Sequence, residues 1–76
     1  MTHEISVRPP FIRLDALLKL CNLVLSGGEA KTLIQEGQVC LNGAICTERG
    51  KKIKDGDVVI LGDEVIRVSF HASSEA

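Results

Sequence analysis

The chain has 76 residues, 45% of them apolar and 25% charged, with a net charge of −1. That length suits one small domain, and the apolar share argues against global disorder. A chain this neutral does not attract nucleic acid through bulk charge, so any such binding requires a local patch.

Residues 1–10, MTHEISVRPP, read as a flexible N-terminal arm, because Pro9 and Pro10 offer no ladder N–H and do not belong inside a helix. From Leu14 the pattern turns helical: Leu14, Leu17, Leu18 and Cys21 recur at i, i+3, i+4 and i+7 and form one face. Asp15 falls in the first turn, where the helix dipole favours an acid, and Asn22 is a plausible stop. Leu23 to Leu25 form an apolar connection. Ser26-Gly27-Gly28-Glu29 then matches the S-x-x-E capping box and predicts a second helix over 27–36, with Ala30, Leu33 and Ile34 inward. Gly37 suits the left-handed position after that helix.

The period next changes to two. Val39 and Leu41 alternate with Gln38 and Cys40, and Asn42-Gly43 is a strong hairpin signal that returns the chain through Ala44 to Cys46. Residues 47–52, TERGKK, predict a polar, basic loop. Asp55-Gly56 is a turn, Val58–Leu61 a further strand, and Gly62-Asp63 leads into a last strand, Glu64–Phe70. There Ile66, Val68 and Phe70 face the core while Val65, Arg67 and Ser69 face outward. Residues 71–76 read as a disordered tail. Helices segregated ahead of strands indicate an α+β fold: two short helices followed by a small, mostly antiparallel sheet.

Little in the chain suggests catalysis. His3 and His71 lie in the predicted loose ends, Ser26 has no activating partner in view, and the phosphate-binding string GxxxxGK[ST] is missing. Cys21, Cys40 and Cys46 lack CxxC spacing, so neither a disulfide framework nor a metal site is expected, and no cofactor motif is present. Free buried thiols suit a reducing, cytoplasmic setting. No signal peptide is visible, and no apolar run approaches the ~20 residues of a membrane span.

Two segments could hold an anion. Gly27 and Gly28 occupy the first turn of the second helix, where amides lack intrahelical partners, and Lys31 projects beside Gly27 one turn on. A phosphate cradle and an ordinary cap both fit this segment, and Glu29 adds negative charge there. Arg49-Gly50-Lys51-Lys52, with Lys54 beyond, forms a basic patch that Arg13 and Lys19 extend if the two helices pack together. Residues 1–54 hold eight Lys or Arg against five Asp or Glu, whereas residues 55–76 hold Arg67 against five acids. Trp and Tyr are absent and only Phe11 and Phe70 are aromatic, which argues against stacking on unpaired bases.

From Phe11 to Val68 the chain resembles the S4 RNA-binding domain family. The resemblance rests on RLDALL at 13–18, S-x-x-x-A-K at 26–31, LIQEGQVCLNG at 33–43 and DGDVVIL at 55–61, taken as an ordered set. The short chain, SGGxAK and RGKK are similar to the YbcJ/YaaA-like group of stand-alone bacterial S4 proteins. The resemblance implies a single S4-like domain over 11–70 containing the alpha-L motif. It also implies a non-enzymatic function on structured RNA, ribosomal or transfer, in part on ribosomes. Carried over by position, the RNA surface comprises Arg13, Ser26, Lys31, Gln38, Asn42, Arg49, Lys51 and Lys52, with Gly37 and Gly43 shaping the backbone. Many members have Ser-Arg at the start of the second helix, where this chain has Ser26-Gly27, as the stand-alone group does. A small module that docks on a protein partner without touching RNA is the alternative.

Overall fold

A computed structural model describes residues 2–70. The first helix, α1 (Leu14–Leu20), turns the Leu14, Leu17 and Leu18 side chains fully inward, and Cys21 closes the same face. Burial pushes the Cys21 thiol above its ordinary pKa, because the thiolate loses its hydration. Asn22 takes φ 60, the left-handed conformation that ends helices, so α1 stops where its apolar face stops. The second helix, α2 (Gly27–Gln35), buries Ala30 and Ile34 and ends before Gly37, which has φ +76. Both helices supply apolar side chains to one continuous core, which Val39, Ile53, Val59 and Ile66 complete from the strands at 0% exposure.

The strands are β1 (Thr2–Val7), β2 (Ile12–Arg13), β3 (Val39–Leu41), β4 (Ala44–Ile45), β5 (Lys52–Ile53), β6 (Val58–Leu61) and β7 (Glu64–Phe70). Five of them form a mixed sheet in the order β1-β7-β6-β3-β4, and β2 pairs with β5 as a separate ribbon. All pairs in the five-stranded sheet are antiparallel except β1 with β7. Along β7 the expected alternation holds: Ile66 and Val68 are buried, Arg67 and Ser69 are exposed, and Phe70 is half-buried. Asn42 and Gly43 have φ 52 and 88, which the two central residues of a tight hairpin require, and Leu41 pairs with Ala44 across it. No helix among the described residues is long and apolar enough to cross a membrane.

Two expectations from the sequence are corrected. The N-terminal arm is not loose: Thr2–Val7 lies parallel to β7, with Thr2 opposite Val65 and Val7 opposite Phe70. His3, Ile5 and Val7 turn toward the core and Thr2, Glu4 and Ser6 face solvent, the alternation of a half-buried strand. The prolines do not prevent this, because they follow the strand and β1 is an edge that offers only one row of groups to a neighbour. His3 Nε2 sits 2.7 Å from Glu64 Oε1, and this hydrogen bond holds the Glu64 carboxyl below its ordinary pKa. The second correction concerns the basic loop, whose last residue, Lys52, is in β5 opposite Arg13. The predicted tail, 71–76, lies outside the described residues.

Candidate nucleic-acid interface

The ribbon β2–β5 brings Arg13 and Lys52 together. Ile12 pairs with the fully buried Ile53, so the next residues along each strand, Arg13 and Lys52, are presented outward as an opposed pair. The segment between β4 and β5 is strapped across the start of α1. The Leu14 N–H donates to the Lys51 carbonyl at 2.9 Å, and the Asp15 N–H to the Arg49 carbonyl at 3.1 Å. Ala16 N–H donates to Asp15 Oδ1 at 2.8 Å. The first amides of α1 are therefore occupied by the loop and by Asp15 rather than left open for a ligand.

Asp15 also gathers two arginines. Its Oδ2 lies 3.3 Å from Arg13 Nη2 and 3.9 Å from Arg49 Nε. Both guanidinium groups are about half exposed, so these contacts add little stability. Their effect is positional: one carboxylate offsets the repulsion between two cations on one face. Gly50 lies against the Arg13 guanidinium, where an added Cβ would make only an ordinary contact at 3.7 Å from Nη2. Asp15 thus has a second task besides the helix dipole, and the R-x-D spacing at 13–15 is the signal for it.

At the start of α2, Ser26 Oγ accepts the Glu29 N–H at 3.2 Å, as the capping box requires. The Glu29 carboxylate reaches back one residue further than expected and accepts the Leu25 N–H at 2.8 Å. Its charge is thereby drawn toward the chain before the helix. The Gly27 and Gly28 amides find no acceptor among the described residues. Neither glycine has positive φ. A Cβ on Gly27 would meet nothing within 4 Å, and one on Gly28 only Ser26 Oγ at 3.8 Å. Conformation and packing therefore give no reason for glycine at either position. Lys31 is exposed one turn further along.

The start of α2 opens onto the Arg13 side of α1. Arg13, Asp15, Ala16, Lys19 and Gly27 line an open groove of about 230 Å³, so the start of α2 shares a surface with Arg13 and Lys19, and Arg49 borders it through Asp15. A larger groove of about 590 Å³ adjoins the basic loop, with Gly50, Lys51, Lys52 and Lys54 facing Asn42 and Asp57. Asn42 contributes there as a brace. Its Oδ1 accepts the Val58 N–H at 2.9 Å and its Nδ2 donates to Asp57 Oδ1 at 3.1 Å. Asp57 Oδ2 in turn accepts the Lys54 N–H at 2.7 Å. Asn42 therefore ties the β3–β4 hairpin to β6, with its amide already engaged at both ends. Gln38 is exposed past the far end of α2, a helix that runs about 12 Å from Gly27 to Gln35 by the helical rise, and lines neither groove.

One neighbour of the site was not singled out from the sequence. Phe11 is exposed at the head of β2, and the Lys52 Nζ stands 5.1 Å from its ring centroid. The only sequence signal was its position two residues before Arg13, on the same side of an extended strand. Among the described residues no group of three or more His, Cys, Asp or Glu side chains could hold a metal ion.

Known proteins share this architecture. The family model described as S4 domain matches residues 5–69. A Bacillus subtilis (strain 168) protein named "Probable ribosome maturation protein RlbA" is 39% identical over 59 residues, covering 78% of this chain and 83% of the relative. The solution structure of YbcJ from E. coli, reported to contain an alpha-L motif involved in RNA-binding, superposes with a TM-score of 0.65. It is 35% identical and covers 90% of this chain and 85% of its own. The chain thus shares its overall fold with that structure and belongs to the S4 domain family.

Proposed function

We propose that this protein binds structured RNA through one basic face, without catalysing a reaction on it. The observation that carries this reading is the gathering of Arg13, Arg49 and Lys52 around Asp15 and the β2–β5 ribbon, with Arg13 reaching the groove at the open start of α2, in a chain of net charge −1. Phosphates are the natural ligand of such a face, because cations and unpaired backbone amides contact phosphate oxygens without reading sequence. The relatives support the same direction: one is described as carrying a motif involved in RNA-binding and the other is named for ribosome maturation. The RNA is ribosomal or transfer RNA, met in the cytoplasm. In this reading Arg13, Arg49, Lys51, Lys52 and Lys31 contact phosphates, and Gly27 and Gly28 admit one to the helix end. Ser26 holds that end in shape, and Asn42 shapes the groove rather than touching the ligand. Gln38 stands apart from this face.

The alternative is docking on a protein, favoured by Leu25, which is 94% exposed, and Ile45, which is 66% exposed. Co-sedimentation with ribosomes before and after nuclease digestion separates the two. Association that disappears on digestion is the expected result, and association that persists supports protein docking.

Gly27→Ala tests the helix start directly. Its Cβ enters open space, so the fold is retained and gains up to about 1 kcal/mol of helix propensity. RNA affinity falls severalfold, because the methyl group stands where the phosphate would approach. Thermal unfolding and filter binding measure the two effects separately. Unchanged affinity would remove the α2 amides from the contact surface.

A further inference from the structure

We propose that Phe11 is a stacking platform for one unpaired base of the bound RNA, set within the phosphate-binding face. The inference rests on the RNA-binding reading above and adds a subsite to it.

Composition argues against base stacking, yet the structure puts one of the two aromatic rings where stacking is useful. Phe70 packs against the core, whereas Phe11 is neither in the core cluster nor among the residues packed against it. Phe11 is 36% exposed, and the next residue, Ile12, turns inward to pair with Ile53. Folding therefore leaves this ring outside the core.

Its surroundings specify the occupant. Lys52 Nζ lies 5.1 Å from the ring centroid, and Arg13 is paired with Lys52 across the ribbon. A flat apolar ring with one cation at its face and a second on the paired strand position complements a nucleotide, which has a π-face at the base and negative charge at the phosphate. An exposed cation–π contact is weak, so the Lys52 ammonium can leave the ring for a phosphate while a base takes the vacated face. A double-stranded segment offers phosphates but no free base face, so the subsite selects a bulged or looped nucleotide.

The test uses three stem RNAs: fully paired, with one bulged adenosine, and with an abasic residue at the bulge. The wild-type protein is expected to bind the adenosine bulge roughly tenfold more tightly than the abasic one, the scale of losing one stacked base. Phe11→Leu abolishes that preference and leaves the dependence of affinity on salt unchanged, because no charge is removed. Phe11→Tyr keeps the preference, which separates stacking from a general loss of structure. Lys52→Ala instead makes the salt slope shallower by about 0.7–0.9. Equal binding of the adenosine and abasic bulges, or a preference that survives in Phe11→Leu, overturns the stacking subsite. In those cases salt-dependent binding to all three stems leaves the broader RNA reading standing. Absence of binding to any stem at ~50 mM salt removes both.

Discussion

Replacing Arg49, Lys51 and Lys52 together by alanine lowers RNA affinity by about 10- to 100-fold at ~50 mM salt and leaves the fold intact. The fold survives because the loop holds α1 through the backbone. The carbonyls of Arg49 and Lys51 accept the Asp15 and Leu14 amides, and alanine keeps both carbonyls. The ion pair of Arg49 with Asp15 is lost, but at 3.9 Å and half exposed it contributes little. Each phosphate contact releases condensed counterions, so these three side chains contribute roughly −2 to −3 to the slope of log K against log salt. The triple variant should lose that share of the slope and keep the part that Arg13 and Lys31 supply. Fluorescence anisotropy from low to moderate salt measures both the intercept and the slope. An unchanged slope would show that these side chains do not meet phosphates.

Deleting residues 1–8 lowers the melting temperature by at least about 12 °C and leaves RNA binding intact at temperatures where the domain is folded. The deletion removes the six-position ladder from Thr2 opposite Val65 to Val7 opposite Phe70. It also removes the His3–Glu64 contact at 2.7 Å and the buried Val7 side chain. Burial of one valine is worth about 1.5–3 kcal/mol. With the half-buried Ile5 and the newly exposed edge of β7, the total reaches about 3–5 kcal/mol. A domain of this size has only about 4–11 kcal/mol in all. RNA binding is spared because residues 1–8 line neither basic groove and Arg13 and Lys52 are held by the β2–β5 ribbon, which is separate from the five-stranded sheet. A far-UV circular dichroism melt checks the prediction. A shift of only a degree or two would mean that the strand is dispensable, as its prolines first suggested.

That first impression shows why some features were legible and others were not. The helices are written in neighbouring residues. Leu14, Leu17, Leu18 and Cys21 lie within eight positions, and their spacing alone places them on one buried face. The same holds for Ser26 as a cap, for Gly37 as a left-handed stop, and for Asn42-Gly43 as a hairpin with two positive φ angles. Each depends on the intrinsic conformational freedom of residues close in sequence. The basic site was legible as separate pieces, Gly27-Gly28 and Arg49 to Lys52, and as a family pattern.

The assembly of those pieces was decided only in three dimensions. Residues 2–7 become a strand because β7 supplies a partner some sixty positions away, and alternation in so short a stretch does not reveal such a partner. Asn42 had the correct turn chemistry, but that its amide is engaged by Asp57 and Val58 depends on β6 lying alongside. Asp15 was visible as a helix-dipole residue, whereas its hold on Arg13 and Arg49 needs the loop strapped over α1. Local sequence thus determined the helices, caps and turns, because backbone preference and periodicity act between near neighbours. Tertiary packing decided which charges share a surface and which aromatic ring stays outside the core, because long-range strand pairing sets those distances.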